Sequence, residues 1–320
     1  MGVVGIDTSN YTTSIAWFDG EQGVNCSKLL PVRQGELGLR QSDAVFAHTK
    51  SLPELSGRLF SHVEKDKSIT AVGVSTRPRA VEGSYMPCFM VGYSHAVMLS
   101  QCLKVPLIEV SHQQGHVAAS LWSAGRLDLM DKPHLAWHLS GGTTELLKVE
   151  PDGRNVICTK IGGTTDISAG QLIDRTGQLL ELPFPSGKHV DALSKEASMK
   201  EVFRVKCADY QFSLSGVQNK VQQFHQKYGI PAETAAYALR CVCKAVYLAT
   251  EQALKDYPGY EVVFSGGVAS NSMLRQVMQP LKPVFCEPQF STDNAMGVAV
   301  LASRAMEECH GTESSFNQPD

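Results

Sequence analysis

A strand, polar turn, strand pattern opens the chain and recurs near its middle, and this repetition constrains the fold more than any other feature. In the first copy, VVGIDTSNYTTSIAWFDG, the polar turn 7–13 separates two apolar runs. In the second copy, HLAWHLSGGTTELLKVEPDG, the polar turn 140–144 does the same. Apolar runs around a short turn rich in hydroxyls are typical of a β-hairpin. Two hairpins, each followed by helices, indicate a duplicated α/β architecture of two lobes with a ligand cleft between them.

The segments that follow each hairpin also fit an α/β class. AVGVST (71–76) and VPLIEVS (105–111) predict buried strands joined by a helix, and the segment 42–65 predicts an earlier helix that is interrupted near Pro53. GRNVICTKIGG adds a strand after the second hairpin, and several amphipathic segments predict helices downstream. We expect one lobe to span residues 1–125, with a closing helix at 292–308 packing back on it, and the other lobe to span 126–291.

Composition limits where the protein acts and what it binds. A chain of 320 residues with a net charge of −3 has no overall basic field that would capture nucleic acid without help. No apolar run reaches the roughly 18 residues of a membrane-spanning helix. The nine cysteines form no CxxC pairs, which favours reduced, mostly buried thiols. The sequence therefore predicts a cytoplasmic protein without a membrane partner.

Two histidines four residues apart, His112 and His116, indicate a metal site. Residues at this spacing lie on one face of a helix, so that two imidazoles can share one cation. The pair needs a third ligand from elsewhere in the chain, and Asp293 in FSTDNAMGVAV offers a carboxylate.

Three short turns have the composition of nucleotide-binding turns. They are Asp7-Thr8-Ser9, Ser140-Gly141-Gly142-Thr143-Thr144 and Ser265-Gly266-Gly267. Glycines let backbone N–H groups approach phosphate oxygens, and hydroxyls add further donors. The third turn leads into a helix, whose N-terminus favours negative charge.

With these motifs the sequence resembles the TsaD/Gcp family of tRNA threonylcarbamoyladenosine synthases, within the ASKHA superfamily of actin, Hsp70 and sugar-kinase-like proteins. The resemblance runs through most of the chain. It rests on GIDTS near the start, HQQGH at 112–116, LSGGTTEL at 139–146, IDRTGQLLELPFPSGKHVD at 173–191, FSLSG at 212–216, SGGVASN at 265–271 and STDNA at 291–295.

The resemblance implies a two-lobed ASKHA fold and a set of site residues. It implies that His112, His116 and Asp293 are the metal ligands. The contacts to an adenylate are expected at Leu139, Ser140, Gly141, Gly142, Thr143, Asp174, Gly187, Asp191 and Asn271, to which the third turn adds Gly266 and Gly267. We assign Asp7 and Ser140 as catalytic residues.

The reaction implied by the resemblance is transfer of a threonylcarbamoyl group from threonylcarbamoyl-AMP to an adenosine beside the tRNA anticodon. A divalent metal would polarise the carbonyl or hold the phosphate and carboxylate, and oxygen and nitrogen ligands suit Fe, Zn or Mg. An adenine nucleotide (threonylcarbamoyl-AMP, AMP or ATP) would be the ligand. Helper proteins would be needed to capture tRNA, and the expected partners include a paralogous ASKHA subunit and an ATPase.

The chain also departs from the family pattern at several positions. Thr12 stands where an acidic residue of the first hairpin is usual, Thr143 replaces the histidine of SGGHT, and Gln114 replaces the acid of HxEGH. Gly163 and Ile167 replace acids of a further motif. A glycine-rich TAGPGLxG segment is replaced by STRPRAVEGSYMPCFMVG, whose Arg77 and Arg79 could contact an anionic substrate.

These departures keep other functions open. One alternative is a divergent ASKHA carbamoyl- or phosphotransferase that acts on a small molecule, in which Asp7 and Mg²⁺ carry the chemistry. Another is a non-catalytic nucleotide-binding partner. A metalloprotease fits poorly, because a zincin helix needs HExxH and position 113 is Gln.

Overall fold

The computed structural model describes residues 2–9, 11–30, 39–64, 66–202 and 204–314, with side chains through residue 307. The chain forms two compact units. Unit 1 comprises Met1–Lys132, Glu150–Cys158 and Asp293–Asp320, and unit 2 comprises Pro133–Val149 and Thr159–Thr292. The lobes expected from the sequence divide the chain at residue 125 and leave 150–158 in the second lobe. The assignment of these two lobes as separate domains stays a prediction.

Groups of strands are separated by helices along the chain. The strands are β1 (Gly2–Asp7), β2 (Thr12–Phe18), β3 (Gly23–Leu29), β4 (Ile69–Arg77), β5 (Leu107–Ser111), β6 (His134–Leu139), β7 (Thr144–Asp152), β8 (Asn155–Thr164), β9 (Gln211–Phe212), β10 (Val262–Ser265) and β11 (Val284–Phe285). The α-helices are α1 (Gln41–His62), α2 (Phe89–Leu103), α3 (His112–Ser123), α4 (Ala169–Leu179), α5 (Gly187–Ser194), α6 (Ser215–Tyr228), α7 (Pro231–Asp256), α8 (Ser272–Met278) and α9 (Met296–Ser314). None of the described helices combines the length and apolarity that a membrane crossing requires.

Both predicted hairpins are present, and the five-stranded order around the first recurs around the second, where β9 is added at one edge. The first sheet is ordered β3-β2-β1-β4-β5, with β1 antiparallel to β2 and parallel to β4. The second is ordered β11-β10-β6-β7-β8-β9, with β6 antiparallel to β7 and parallel to β10. The arrangement in which a hairpin is extended by parallel crossover strands therefore occurs twice, and the predicted duplicated α/β fold is confirmed.

Three strands were not predicted from the sequence. Strand β3 lies at the edge of the first sheet, and its three partly buried residues, one buried residue and three exposed residues follow one another without alternation. Strands β9 and β11 contain two residues each, too few to produce a period of two. Edge strands and very short strands pack on few neighbours, so hydrophobic patterning does not reveal them.

The predicted interruption of the first helix near Pro53 is wrong, because α1 continues through this residue. A proline inside a helix removes one hydrogen bond and costs about 3 kcal/mol. Leu52, Leu55 and Leu59 are almost completely buried on the face of α1 that packs into the first core. Burial of a leucine contributes about 1.5–3 kcal/mol, so this face offsets the cost of the proline.

Helices α3 and α9 cross at very close range inside unit 1. A Cβ atom on Gly297 of α9 would lie 1.8 Å from the carbonyl oxygen of Gly115 in α3, so only glycine fits there. A Cβ on Gly5 of β1 would likewise lie 2.6 Å from the backbone nitrogen of Ala299 in α9. Helix α9 begins at Met296, later than the predicted start at 292, and Asn294 accepts a hydrogen bond from the Met296 N–H. Asp293 therefore lies in the bend-rich segment directly before α9.

A buried histidine links the first hairpin to α1. His48 has no solvent exposure, and its Nδ1 lies 2.8 Å from the hydroxyl of Thr13, which is equally buried. Burial lowers the pKa of His48 to about 4, although the charge of Asp7 opposes the shift. The imidazole is therefore neutral in the folded protein near neutral pH.

This burial predicts a loss of stability in mild acid. Because the pKa in the folded state lies below the unfolded value of about 6.5, only the unfolded chain binds this proton as the pH falls from 6.5 towards 4. His48→Gln keeps a hydrogen-bonding partner for Thr13 and does not titrate. Between pH 7.5 and pH 5, we expect the wild type to lose about 1–2 kcal/mol more unfolding free energy than the variant in urea denaturation. Parallel pH profiles for the two proteins would contradict this account.

Candidate functional site

The N-terminus of α3 presents the two predicted histidines in a fixed orientation. Ser111 is the N-cap, and its hydroxyl accepts a hydrogen bond from the Gln114 N–H while the Gln114 side chain accepts one from the Ser111 N–H. This reciprocal capping box satisfies two free amides of the first turn. The Gln114 amide also donates to the carbonyl of Val156 at 2.8 Å. A glutamate could not donate this bond, which explains why glutamine fits where the family pattern has an acid.

Three side chains converge in unit 1. The Nε2 atoms of His112 and His116 are 2.9 Å apart, and Asp293 Oδ1 lies 3.5 Å from the first and 3.1 Å from the second. The side chains are 19%, 10% and 28% exposed, respectively, so the cluster is open to solvent on one side. The structure thus brings together all three predicted metal ligands.

The donor set suits a transition-metal ion. Bonds of about 2.0–2.2 Å from one ion to imidazole nitrogen and carboxylate oxygen place the ligand atoms about 3–3.5 Å apart. The observed separations of 2.9–3.5 Å are compatible with this requirement after small rotations of the side chains. Among the described residues, this is the cluster of histidine, cysteine and acidic side chains that could hold a metal ion.

Asp7 lies behind the first histidine. Its Oδ2 is 2.8 Å from His112 Nδ1, and its Oδ1 accepts a hydrogen bond from the Ser9 N–H. The carboxylate is only 1% exposed. A carboxylate on Nδ1 fixes the tautomer and ring orientation, and it leaves Nε2 directed towards the cluster. Asp7, predicted to be catalytic, therefore acts on the cluster through His112 in this geometry.

Interactions between the histidines and the carboxylates of the cluster favour the charged forms of His112, Asp293 and Asp7. Burial lowers the pKa of His112, but the charge of Asp7 and hydrogen bonds with Asp293 and Asp7 outweigh it and raise the pKa to about 10. Burial raises the pKa of Asp293, yet hydrogen bonds with His112 and His116 hold it well below its usual range. Burial likewise raises the pKa of Asp7, and the charge of His112 with its hydrogen bond leaves that pKa lowered.

Unit 2 contains a separate cavity of about 470 Å³. Six predicted nucleotide contacts line it: Gly141, Asp174, Gly187, Asp191, Gly267 and Asn271. Asp191 Oδ1 accepts hydrogen bonds from the Asn271 amide at 2.8 Å and from the Ser272 hydroxyl at 2.9 Å. Asp174 Oδ1 accepts one from the Ser186 N–H, and burial raises the pKa of Asp174 in spite of this bond. Both carboxylates are thus held in fixed orientations at the cavity wall.

The other predicted contacts of unit 2 do not line this cavity. Leu139 is fully buried in the core. Ser140 and Thr143 close a tight turn, in which the Thr143 N–H donates to the Ser140 hydroxyl at 3.0 Å. Gly266 has a φ of +88°, and a Cβ there would lie 2.2 Å from the Leu139 carbonyl oxygen. Gly142 completes the turn. These residues shape the turns, and only Gly141 and Gly267 of the two turns reach the cavity.

Sequence reasoning missed six lining residues: Gly170, Ile173, Pro185, Lys188, Val268 and Ser270. Gly170 could have been suspected as a helical glycine, since a Cβ there would lie 2.5 Å from Gly141 Cα and from the Ser140 carbonyl oxygen. Ile173, Lys188, Val268 and Ser270 are each next to a predicted contact in sequence. Pro185 follows from the path of its loop, which local patterns do not specify.

Substitution of Asp7 should change the titration of His112 in metal-free protein. The wild-type imidazole should stay protonated through pH 8, because its pKa is raised to about 10. In Asp7→Asn the principal opposing charge is gone and burial dominates, so we expect the pKa of His112 to fall by at least about one unit. NMR of the histidine ¹³Cε1 signals between pH 5 and 10 measures this, with His112→Ala for assignment. An unchanged midpoint in Asp7→Asn would refute the coupling.

Comparison with known proteins agrees with the resemblance found in the sequence. Residues 36–300 match the TsaD family, described as tRNA N6-adenosine threonylcarbamoyltransferase. The proteins of that name from Sulfurihydrogenibium sp. and Thermus thermophilus are 32% and 31% identical to the chain. The first alignment covers 96% of this chain and 91% of the relative, and the second covers 95% and 93%.

Solved structures with low sequence identity share the fold. HypF from T. kodakarensis superposes with a TM-score of 0.63 at 14% identity, over 96% of this chain and 48% of HypF. Component A of (R)-2-hydroxyglutaryl-CoA dehydratase from Acidaminococcus fermentans gives 0.56 at 15% identity, over 95% of this chain and 99% of that protein. The fold is the predicted ASKHA type, and the chain belongs to the TsaD family.

Proposed function

We propose that the protein transfers a threonylcarbamoyl group from threonylcarbamoyl-AMP to N6 of an adenosine beside the tRNA anticodon. The observation that carries this proposal is the convergence of His112, His116 and Asp293, with Asp7 fixing the first imidazole, in a chain of the TsaD family. The relatives aligned over more than nine tenths of this chain are named for that activity.

In the reaction, the N6 amine attacks the carbamoyl carbon of the donor. A new C–N bond forms, the C–O bond to the adenylate phosphate breaks, and AMP leaves with the electron pair while the amine releases a proton. His112, His116 and Asp293 would hold a divalent cation, which supplies Lewis-acid polarisation of the carbonyl and a template for the donor. Two imidazoles and one carboxylate suit Fe or Zn better than Mg, which prefers oxygen ligands.

The residues of this chain have separate tasks in the proposed reaction. Asp7 orients His112, so that Nε2 is directed at the cation. The cavity of unit 2 binds the adenylate, where Asp174 and Asp191 accept hydrogen bonds from ribose or amine groups and Asn271 contacts base or sugar. Backbone N–H groups of the turn 140–143, which includes Ser140, would stabilise charge on the phosphate or carbonyl.

The alternative phosphotransferase is not favoured. Such chemistry needs Asp7 at the substrate with Mg²⁺. Here Asp7 is 1% exposed and both its oxygens are engaged, one by His112 and one by Ser9. The proposal also includes tRNA as acceptor, helper proteins that capture it, a paralogous ASKHA subunit, an ATPase partner and a cytoplasmic location.

The proposed activity can be tested by mass spectrometry of modified nucleosides. Unmodified tRNA is incubated with the donor, candidate partners and the protein. Threonylcarbamoyladenosine should form with wild type and should be absent with His112→Ala. Asp7→Asn should weaken metal affinity about 10- to 100-fold, with a matching loss of activity at limiting metal. His62→Ala, a histidine substitution on the exposed face of α1, should retain full activity. A folded wild type that binds metal but forms no product with any partner set would exclude the proposal.

Two glycine substitutions should separate folding from nucleotide binding. At Gly187 an added Cβ meets no atom within 4 Å, whereas at Gly170 it would overlap the backbone of the turn at Gly141. We expect Gly187→Ala to keep the wild-type melting temperature and to weaken AMP binding by several-fold, because the methyl group occupies cavity space. Gly170→Ala should lower the melting temperature as well, since overpacking costs about 1–3 kcal/mol. Calorimetric AMP titration and thermal unfolding measure both effects. Unchanged AMP affinity in Gly187→Ala would exclude this cavity as the adenylate site.

A further inference from the structure

Arg77 lies on the strand end that pairs with the residue directly before the metal-ligand cluster of unit 1. It is the last residue of β4, and its register partner on β5 is Ser111, the residue directly before His112. The next residue, Pro78, accepts a hydrogen bond from the Gln113 N–H at 3.0 Å. The end of β4 is therefore attached to the first turn of α3, which carries both histidines.

The backbone around Arg77 is fixed. A residue before proline is restricted to extended conformations, so Pro78 limits Arg77 to the strand geometry observed. The following segment is closed by hydrogen bonds from the Arg79 N–H to the Ser84 hydroxyl at 3.0 Å and from the Ser84 N–H to the Val81 carbonyl. Arg77 is thus held at a strand end, in place of the glycine-rich segment of the family pattern.

The guanidinium of Arg77 has no acidic partner among the residues that the structure describes. The residue is partly buried, and its one hydrogen bond runs from Nη1 to the hydroxyl of Thr76 at 3.3 Å. The acids of the cluster, Asp7 and Asp293, are engaged by His112 and His116. Partial removal of a charged group from water is unfavourable unless an opposite charge compensates it. The missing anion is then expected from a ligand.

We propose that Arg77 binds the carboxylate of the threonyl group in the donor and selects carbamoyl donors derived from an amino acid. The inference rests on the proposed function. The planar guanidinium matches a carboxylate with two parallel hydrogen bonds. The carboxylate is assigned in preference to the adenylate phosphate because Arg77 belongs with the cluster that acts on the acyl end, whereas the proposed adenylate contacts are residues of unit 2.

Two donor analogues, which differ only in the carboxylate, measure the contribution of this group to binding. The first is adenosine threonylcarbamoyl sulfamate, which keeps the carboxylate and replaces the phosphate by a stable linkage. The second is its threoninol counterpart, in which CH₂OH replaces the carboxylate. Both are titrated calorimetrically against wild type, Arg77→Ala, Arg77→Lys and Arg58→Ala, with and without Zn²⁺. Arg58 lies on the exposed face of α1 and is the matched control for loss of an arginine. Thermal unfolding of each variant monitors the fold.

We expect wild type to prefer the carboxylate analogue, and Arg77→Ala to weaken that analogue about 10- to 100-fold while it changes the threoninol analogue less than about threefold. Arg77→Lys should fall between wild type and Arg77→Ala, because it keeps the charge but not the planar pair of donors. Arg58→Ala should match wild type. Binding of both analogues with equal loss in Arg77→Ala, or with no loss, would overturn the assignment and leave the proposed function intact. Failure of wild type to bind either analogue would refute the proposed function itself.

Discussion

The close crossing of α3 and α9 is the constraint on which the candidate metal centre depends. Gly297 has no room for a Cβ, because one would lie 1.8 Å from the carbonyl oxygen of Gly115, so the two backbones are nearly in contact. His116 follows Gly115 directly, and Asp293 lies four residues before Gly297 on the entry to α9. The separation of 3.1 Å between their ligand atoms therefore depends on the absence of a side chain at Gly297. A larger residue at the crossing would push the helices apart, because the distance between helix axes depends on the side chains at the contact.

The same crossing shows why the site is precise although its ligands come from distant parts of the sequence. Protein interiors are packed as densely as organic crystals, so a displacement at one contact is transmitted to its neighbours. Helix α9 packs on α3 and on β1, whose last residue is Asp7. His112, His116, Asp293 and the carboxylate behind them are thus all attached to one rigid group of elements. The capping box of Ser111 and Gln114 adds local order at the point where the histidines begin.

Much of this could be predicted from the sequence. The two hairpins and the histidine pair follow from local patterns, because apolar runs around a polar turn and an i, i+4 pair each report on a single element. The third ligand, Asp293, was assigned from the family resemblance, since it lies 177 residues from His116. The role of Asp7 could not be predicted in the same way: its contact with His112 spans 105 residues and depends on the order of strands in the sheet. The start of α9 was expected too early, since the bends before it and the bond that Asn294 accepts from the Met296 N–H leave no mark on the hydrophobic period. Of the nucleotide contacts, Gly141 and Gly267 reach the cavity while Leu139 does not. A turn motif specifies composition, but the path of the backbone decides which residue faces a ligand.

Several departures from the family pattern have local structural reasons. Gln114 donates to the Val156 carbonyl, which a carboxylate could not do. Gly163 has a φ of +123°, and a Cβ there would lie 2.2 Å from the Thr144 carbonyl oxygen, so the acid of the family pattern would not fit this backbone. Ile167 packs against the core of unit 2. Each of these three replacements thus matches the hydrogen bond, the backbone conformation or the packing at its position.

The buried pair of Asp7 and His112 is the opposite case, because folding does not require it. Desolvation of two charges generally cancels most of their attraction, and well-packed apolar residues of similar size are often neutral or stabilising in place of such a pair. If only stability mattered at this position, apolar side chains could hold the same elements together. The fully buried carboxylate on His112 Nδ1 is instead what a metal-binding imidazole requires, since it fixes the ring and directs Nε2 to the ion. The arrangement therefore argues for a working centre and against a scaffold that only binds nucleotide.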